Sequence, residues 1–330
     1  MERAVDTPLL DVRAVRKYFT GGSAFFKPGS VVKAVDGVSF LVMRDSVFGL
    51  VGESGCGKST VGRLILRLLT PTGGSVLFKG EDVGQLRGES LTRFRRSVQI
   101  VFQDPFASLN PRMRVIDTLS EPFKVHRLVP KREIEGRVVE LLERVGLGSD
   151  SLKKYPHEFS GGQRQRICIA RALTLSPELI VADEPLSALD VSIQAQILSL
   201  FLEIKRQFAI SLVFISHDLN VVRYLSDKVG VMYLGRLVES GTTEEIFASP
   251  KHPYTELLLN SAPKIRFYEA AEPSRRAVGS PTQGQDVPSL LSIPHGCPFH
   301  PRCPKKFEPC DKAVPEFKES AGRRIACHLY

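Results

Sequence analysis

The residues best suited to chemistry in this chain lie in well-separated segments, and the first is a glycine-rich run of the pattern G-x-x-x-x-G-K-S. Glycine lets backbone N–H groups turn inward around phosphate oxygens, in conformations that a side chain would obstruct. The lysine is expected to bridge the β- and γ-phosphates of a nucleotide, and the serine hydroxyl to ligate Mg²⁺. The run therefore predicts a nucleoside triphosphate site, formed by Gly52, Glu53, Ser54, Gly55, Cys56, Gly57, Lys58, Ser59 and Thr60.

An acidic pair later in the chain supplies the residues that hydrolysis requires. Asp183 and Glu184 directly follow an apolar run at 179–182, which is typical of a buried strand. In open α/β sheets, ligands bind at the C-terminal ends of the strands. We expect Asp183 to hold Mg²⁺, directly or through water, and Glu184 to polarise the attacking water as a general base. Alone, such a pair would more often begin a helix, but beside a phosphate loop it predicts triphosphate hydrolysis.

The elements that must position these residues alternate between strand and helix. A strand at 47–51 leads into the glycine run, and a helix at 60–69 follows it, so N–H groups near Lys58 point at the same anion. Residues 9–19 are expected to form an edge strand, and residues 229–240 a hairpin. The alternation predicts a mostly parallel sheet with helices on both faces. Further strands are expected at 35–42, 75–78, 98–103 and 211–215, and helices at 133–145, 161–175, 191–208 and 219–225.

Length and composition indicate an ordinary globular protein of about two domains. The net charge of +9 is distributed over short, scattered basic clusters, so no nucleic acid partner is expected. No apolar run approaches the ~20 residues that span a bilayer, and the first residues do not resemble a secretion signal. We therefore expect a cytosolic protein that reaches a membrane only through a partner.

A further segment that carries a motif is Ser160-Gly161-Gly162-Gln163, preceded by Phe159. With it, the chain resembles the nucleotide-binding subunits of ATP-binding-cassette (ABC) machines, which hydrolyse ATP. A single subunit does not need this segment to bind nucleotide. In the family, the segment is a signature that contacts the γ-phosphate of the ATP bound to the opposite subunit. The resemblance therefore implies a dimer that encloses two ATP molecules.

The same resemblance implies the fold and its divisions. The fold is α/β, with a P-loop ATPase core whose mostly parallel sheet is flanked by helices. An antiparallel β subdomain is expected at the N-terminus, and a helical subdomain is expected to be inserted in the core. The ATPase domain is expected at 8–260 with the helical subdomain at about 104–177, a linker at 261–292, and a Cys-rich C-terminal extension at 293–330.

Single residues at the family's spacing take their roles from the resemblance. Gln103 matches the Q-loop glutamine, which touches Mg²⁺ and the attacking water. Asp190 matches the D-loop, and His217 matches the switch histidine that contacts the γ-phosphate. Phe19 lies where the family stacks an aromatic ring on adenine, with Tyr18 as the alternative. The catalytic set is therefore expected to be Glu184, His217 and Gln103, with Ser59, Gln103 and Asp183 around Mg²⁺.

Further segments narrow the resemblance to the dipeptide/oligopeptide permeases. They lie at 102–112, 156–166 and 252–255 and in the tail that begins at 296. A long loop before Ala34 favours the F-type subunit over its D-type sibling. The resemblance implies that ATP hydrolysis powers peptide import, with nickel and glutathione importers as alternatives. A soluble ABC ATPase acting on DNA or ribosomes is the other alternative, and the absence of a long coiled coil between Lys58 and Ser160 counts against it.

The partners implied are a second ATP-binding subunit and two transmembrane permease subunits. The second ATP-binding subunit is either a paralogue, which the subfamily favours, or another copy of this chain. An extracytoplasmic solute-binding protein takes part indirectly. This places the chain on the cytoplasmic face of the inner or plasma membrane, attached through the permease.

Six cysteines in a cytosolic chain argue against structural disulfides. Cys297, Cys303, Cys310 and Cys327 are spaced more widely than the tight pairs of most zinc sites. The resemblance implies that such tails can hold a [4Fe–4S] cluster. Zinc, with a histidine of the tail as a further ligand, and no metal are the alternatives. Cys56 and Cys168, the remaining pair, are interpreted as structural.

Overall fold

The computed structural model describes residues 7–20, 31–261, 289–320 and 323–330. Residues 21–30, in the long loop expected before Ala34, and residues 262–288 of the expected linker at 261–292 lie outside the described residues. The strands are β1 (Leu10–Thr20), β2 (Val31–Val42), β3 (Val47–Val51), β4 (Gly73–Phe78), β5 (Glu81–Asp82), β6 (Val98–Val101), β7 (Leu179–Asp183), β8 (Ser211–Ser216), β9 (Lys228–Tyr233), β10 (Arg236–Thr242), β11 (Lys318–Ser320) and β12 (Arg323–Ile325).

Helices lie between and after these strands. The α-helices are α1 (Lys58–Ile65), α2 (Gly88–Ser97), α3 (Pro105–Ser108), α4 (Val115–His126), α5 (Ile134–Arg144), α6 (Gly161–Leu173), α7 (Val191–Phe208), α8 (Leu219–Leu225), α9 (Thr243–Ala248) and α10 (Pro253–Ser261). Short 3₁₀ turns occur at Lys131–Glu133, Ser149–Lys153, Pro156–Glu158 and His300–Arg302. In the parts of the chain that the structure describes, no helix has the length and apolar character needed to cross a bilayer.

The small N-terminal sheet is antiparallel, in the order β2-β1-β4-β5. The expectation that residues 9–19 form an edge strand is wrong, because β1 pairs with β2 on one side and β4 on the other. Val12 and Val15 are buried, which accounts for the apolar residues that suggested a strand. Such a pattern reports which face is buried and does not report how many neighbours the strand has.

The large sheet has the order β11-β12-β10-β9-β3-β8-β7-β6, and β9, β3, β8, β7 and β6 run parallel. Both of its faces are covered. Leu212 and Phe214 of β8 lie in a core formed with helices, and Val213 and Ile215 lie in a core formed with α1, α2 and the small sheet. This confirms the predicted α/β fold. Because β7 and β3 both neighbour β8, the segments that follow them lie side by side at one sheet edge.

Helices α3 to α6 lie between β6 and β7, in the part of the chain expected to be helical. Helix α6 begins at Gly161, the first residue of the helix predicted at 161–175. The Ser160 hydroxyl accepts a hydrogen bond from the N–H of Gln163 at 3.3 Å, and the Gln163 side chain accepts one from the N–H of Ser160 at 3.0 Å. This reciprocal pair is a capping box, which satisfies two N–H groups of the first turn. The predicted helix start is confirmed.

The cysteine-bearing tail packs on the large sheet in a way that the sequence did not predict. Strand β12 pairs with β10, and β11 pairs with β12, so the tail extends this sheet by two antiparallel strands. Phe299 is almost fully buried, and its ring lies 5.3 Å from Tyr254 and 5.4 Å from Tyr233, centroid to centroid. Buried aromatic rings in contact dominate the energetics of such a junction. The tail is therefore docked on the body of the protein.

Candidate active site

The glycine run joins the end of β3 to the start of α1, and two of its glycines are required by close backbone approach. A Cβ on Gly57, whose φ is 107°, would lie 2.1 Å from the carbonyl oxygen of Ala34. A Cβ on Gly52 would lie 2.1 Å from the carbonyl oxygen of Met232. Both separations are far inside van der Waals contact, so no other residue fits. The loop can therefore pass close to its neighbours and lead directly into α1, whose N-terminal N–H groups can bind an anion.

Lys58 is the most completely enclosed charged group of the loop. Its side chain is 3% exposed, and its ammonium donates to the carbonyl oxygens of Gly52 at 2.8 Å and Glu53 at 3.0 Å. The same nitrogen lies 3.7 Å from Oε1 of Glu184. A buried ammonium with one carboxylate neighbour and a glycine loop around it is suited to a polyanionic ligand.

Ser59 and Asp183 form the pair that could hold a cation. The Ser59 hydroxyl donates to Oδ1 of Asp183 at 2.8 Å. Asp183 is buried at the end of β7, and this burial raises its pKa above the usual range for aspartate. With Gln103, the pair lines a cavity of about 590 Å³. A hydroxyl and a carboxylate beside a phosphate site are the protein oxygens that Mg²⁺ uses together with nucleotide phosphates.

Glu184 is the residue on which three other predicted site residues converge. Its Oε1 lies near Lys58, as described above. Its Oε2 accepts a hydrogen bond from Nε2 of Gln103 at 3.4 Å and lies 3.2 Å from Nδ1 of His217. The backbone of Glu184 has a φ of 46°, in the left-handed region that costs a residue with a side chain roughly 1–2 kcal/mol. Strained backbone conformations of this kind cluster at active sites. The arrangement can hold a carboxylate ready to accept a proton from water.

Other predicted site residues lie apart from this cluster. Ser160 and Gln163 are exposed, and within the described residues none of their hydrogen bonds reaches the glycine run. Asp190, exposed before α7, makes no capping hydrogen bond with its side chain. Phe19 lies near the end of β1 and is 39% exposed. The alternative, Tyr18, donates its hydroxyl to Asp36 at 2.6 Å and is less exposed than Phe19.

Two residues that touch the phosphate loop were missed. The Tyr254 hydroxyl accepts a hydrogen bond from the N–H of Glu53 at 3.0 Å, and Arg302 donates two hydrogen bonds to the Glu53 carboxylate. Tyr254 lies in a segment that suggested the subfamily but carried no assigned role. Arg302 lies in the tail next to Cys303, where the sequence drew attention only to the cysteines.

All six cysteines are free, and the four tail cysteines line one small cavity with His252, His300 and His328. Among the described residues, however, no three His, Cys, Asp or Glu side chains converge closely enough to hold a metal ion. Burial raises the pKa of Cys297 to about 11, so its thiol is protonated as it stands. The backbone thus gathers the cysteines at one place, whereas the side chains do not fit a single ion without moving.

Family models match two parts of the chain. The model described as "ABC transporter" matches residues 35–187. The model described as "Oligopeptide/dipeptide transporter, C-terminal region" matches residues 238–310, which include three of the four tail cysteines. The first matched region contains the predicted catalytic residues Gln103 and Glu184, and the second contains Tyr254 and Arg302.

Curated relatives and solved structures are similar over most of the chain. The oligopeptide transport ATP-binding protein AppF of Bacillus subtilis is 51% identical over 100% of both chains. The dipeptide transport ATP-binding protein DppF of Escherichia coli is 43% identical over 99% of this chain and 96% of its own. CbiO1 of Clostridium perfringens, part of an ABC transporter complex, has a TM-score of 0.64 at 30% identity over 74% of this chain and 92% of its own. A dimeric ATP-binding cassette in a post-hydrolysis state with ADP and Pi has a TM-score of 0.63 at 26% identity over 71% of this chain and 98% of its own.

Proposed function

The chain belongs to the ATP-binding subunits of ABC transporters, in the oligopeptide/dipeptide branch, and we propose that it hydrolyses ATP to power the import of peptides. The observation that carries the proposal is the convergence of Lys58, Gln103 and His217 on the carboxylate of Glu184. A general base must lie within hydrogen-bond reach of the water that it activates, beside groups that hold the phosphates. The contacts of Glu184 with these three side chains therefore support its role as the general base.

The roles of the individual side chains follow from their positions. Lys58 and the N–H groups of the glycine run bind the β- and γ-phosphates, and Ser59 and Asp183 hold Mg²⁺ with Gln103 nearby. Glu184 accepts the proton of the attacking water, and His217 binds the γ-phosphate. In such sites most of the catalysis comes from positioning and from electrostatic stabilisation of the phosphoryl group.

A second subunit completes each site. Ser160 and Gln163 at the start of α6 are exposed, and their hydrogen bonds among the described residues do not reach this chain's own glycine run, which supports a contact with the ATP of a partner subunit. The similar cassette with ADP and Pi is described as dimeric. On this proposal, Ser160, Gly161, Gly162 and Gln163 bind the γ-phosphate held by the partner, with Asp190 at the same interface. The partner is a paralogue or a second copy.

The proposed setting is the cytoplasmic face of the membrane, where two permease subunits bind the ATPase pair. Peptide cargo is supported by the match at 238–310 and by the names of the relatives, two of which are an oligopeptide and a dipeptide transport protein. A solute-binding protein outside the membrane would deliver the cargo. We propose that the ATPase domain spans residues 8–260, with the helical part at about 104–177, and that the Cys-rich extension begins near 293.

The test is transport by the complete assembly. Proteoliposomes would contain the permease pair, the partner ATPase and this chain, with ATP inside or outside to match the orientation. We expect ATP-dependent uptake of a labelled peptide, and no uptake with Lys58→Ala. Nickel and glutathione would be offered in parallel, because uptake of either in place of peptide would contradict the peptide assignment. ATP hydrolysis without any transport would contradict the importer role.

For the tail, we propose that Cys297, Cys303, Cys310 and Cys327 hold a [4Fe–4S] cluster. The support is that all four line one small cavity. A cluster binds each thiolate through a different iron and so accepts a wider spacing than a tetrahedral zinc ion, whose Zn–S bonds are about 2.3 Å. The cysteines must lose their protons to bind either metal. Zinc is the alternative, and metal analysis of the purified protein distinguishes the two.

A further inference from the structure

Glu53, the first variable residue of the glycine run, is clamped by the C-terminal extension. Arg302 donates from Nη1 to Oε2 of Glu53 and from Nη2 to Oε1, both at 2.8 Å. The two side chains are 13% and 22% exposed, so the pair is largely shielded from solvent. Two parallel bonds between a guanidinium and a carboxylate fix the orientation of the carboxylate as well as its position. The extension thus holds the phosphate loop by a specific contact.

The backbone of Glu53 is held at both ends. Its N–H donates to the hydroxyl of Tyr254 at 3.0 Å, and its carbonyl oxygen accepts from the ammonium of Lys58 at 3.0 Å. Tyr254 is itself fully buried and packs against Tyr233 and Phe299, with ring centroids 4.5 Å and 5.3 Å away. Phe299 belongs to the extension, three residues before Arg302. One residue of the loop therefore connects the extension to the ammonium expected to bind phosphate.

We propose that Arg302 is a positioning residue for the ATP site, holding the phosphate loop through Glu53 in the conformation that binds ATP. The inference rests on the proposed ATPase function. It makes the cysteine-rich extension part of the nucleotide-binding machinery, since the matched cassette region at 35–187 does not contain this residue.

The physical reason lies in the glycines. A loop rich in glycine has many accessible backbone conformations, so ordering it costs more entropy than ordering other sequences. A clamp that orders the loop in advance removes part of that cost from the binding step. Without the clamp, apparent affinity falls by the fraction of chains whose loop is in the competent conformation. Once ATP is bound and the loop is ordered, the rate of hydrolysis changes little.

The first experiment measures binding of Mg·ATP to the full-length chain. We expect Arg302→Gln to weaken binding about tenfold, the order of a lost charge-assisted hydrogen-bond pair, with little change in the rate at saturating ATP. Arg302→Lys keeps the charge but not the two parallel bonds, so its affinity should be intermediate. The matched control is Lys305→Gln. It removes another ion pair of the extension, to Glu256 at 2.7 Å, and should leave the affinity unchanged.

A double-mutant cycle separates positioning from a general structural role. If Arg302 acts through Glu53, the combination of Arg302→Gln with Glu53→Gln binds ATP no more weakly than Glu53→Gln alone. Independent, additive losses would overturn the inference. So would unchanged affinity in both Arg302 variants. The conservative Arg302→Lys decides the question if Arg302→Gln does not fold, as judged by circular dichroism. A wild-type chain that binds no ATP would overturn the proposed function itself, and this inference with it.

Discussion

The carboxylate of Glu184 lies 3.7 Å from the ammonium of Lys58, and the two side chains are only 13% and 3% exposed. The pair joins the residue proposed to activate water to the residue proposed to bind the phosphates. The other carboxylate oxygen of Glu184 faces Gln103 and His217. Glu184 is therefore the centre of the site, and the effect of changing it separates ATP binding from hydrolysis.

Glu184→Gln should leave ATP bound but unhydrolysed. The amide keeps the shape of the side chain and loses the ability to accept a proton, so the turnover number should fall by about 10²–10⁴-fold, the contribution of a general base. The measurement is phosphate release by the assembled transporter, together with retention of labelled ATP after rapid filtration. Wild-type rates of phosphate release would refute the role of Glu184.

Ser160→Ala should impair ATPase activity beyond its effect on stability. Thr242 is a matched control, because its hydroxyl accepts a hydrogen bond from the N–H of Glu245 at 3.3 Å, as Ser160 does from Gln163. Loss of either cap should lower the free energy of unfolding by about 1 kcal/mol. Only Ser160→Ala should reduce ATP hydrolysis in the complex, since Thr242 caps α9 away from any ATP. Equal loss of activity in the two variants would contradict a signature role for Ser160.

Phe19→Ala should raise the KM for ATP, whereas Tyr18→Phe should not. Stacking of an aromatic ring on a base contributes about 1–3 kcal/mol, so an increase of about tenfold or more is expected for Phe19→Ala. Tyr18→Phe removes the hydrogen bond to Asp36 but leaves a ring in place. Steady-state kinetics over a range of ATP concentrations measure both. An unchanged KM in Phe19→Ala would contradict stacking of adenine on Phe19.

His252 should make the protein less stable as pH falls below 6.5. Burial lowers the pKa of His252 to about 3 in the folded chain, against about 6.5 when unfolded. Below pH 6.5 only the unfolded chain takes up this proton. Stability is therefore fully present above that pH and declines towards pH 3, by about 1.4 kcal/mol per unit.

The test of the His252 prediction compares urea unfolding at pH 7.5 and 5.5. The control is His252→Asn, which does not titrate and retains an acceptor where Nδ1 of His252 receives the N–H of Tyr254 at 3.0 Å. The stability of the wild type should fall more steeply than that of the variant over this interval. Parallel pH dependence of the two proteins would mean that other groups dominate.

Metal analysis after anaerobic purification should find iron and acid-labile sulfide in near-equal amounts, about four of each per chain as a [4Fe–4S] cluster requires. Cys303→Ser should lose both. One zinc ion per chain would instead make the extension a zinc-held structure and would refute the cluster. Absence of both metals would leave the tail held by its packing and by the Arg302–Glu53 pair.

Much of the site was predictable because its signals are local. The glycine run, the buried strand Leu179–Asp183 and the helices Val191–Phe208 and Leu219–Leu225 lie where the sequence placed them. In each case, the pattern of glycine, apolar and capping residues within one short segment dictates its conformation. Asp183 and Glu184 were predicted from the strand before them, whereas Gln103 and His217 were predicted from the family resemblance, and both contact Glu184 in the structure.

What the tertiary structure alone decided concerns residues far apart in the chain. The interior position of β1, the two strands that the tail adds to the sheet, and the contact of Arg302 with Glu53 depend on which segment lies beside which. A strand pattern specifies a buried face but not a partner strand. In the same way, the sequence does not say which of the chain's many carboxylates an arginine in a proline-rich tail will pair with. The packing of Phe299 on Tyr233 and Tyr254 helps to set Arg302 against the phosphate loop. Side-chain packing of this kind is a property of the assembled core and is absent from any single segment.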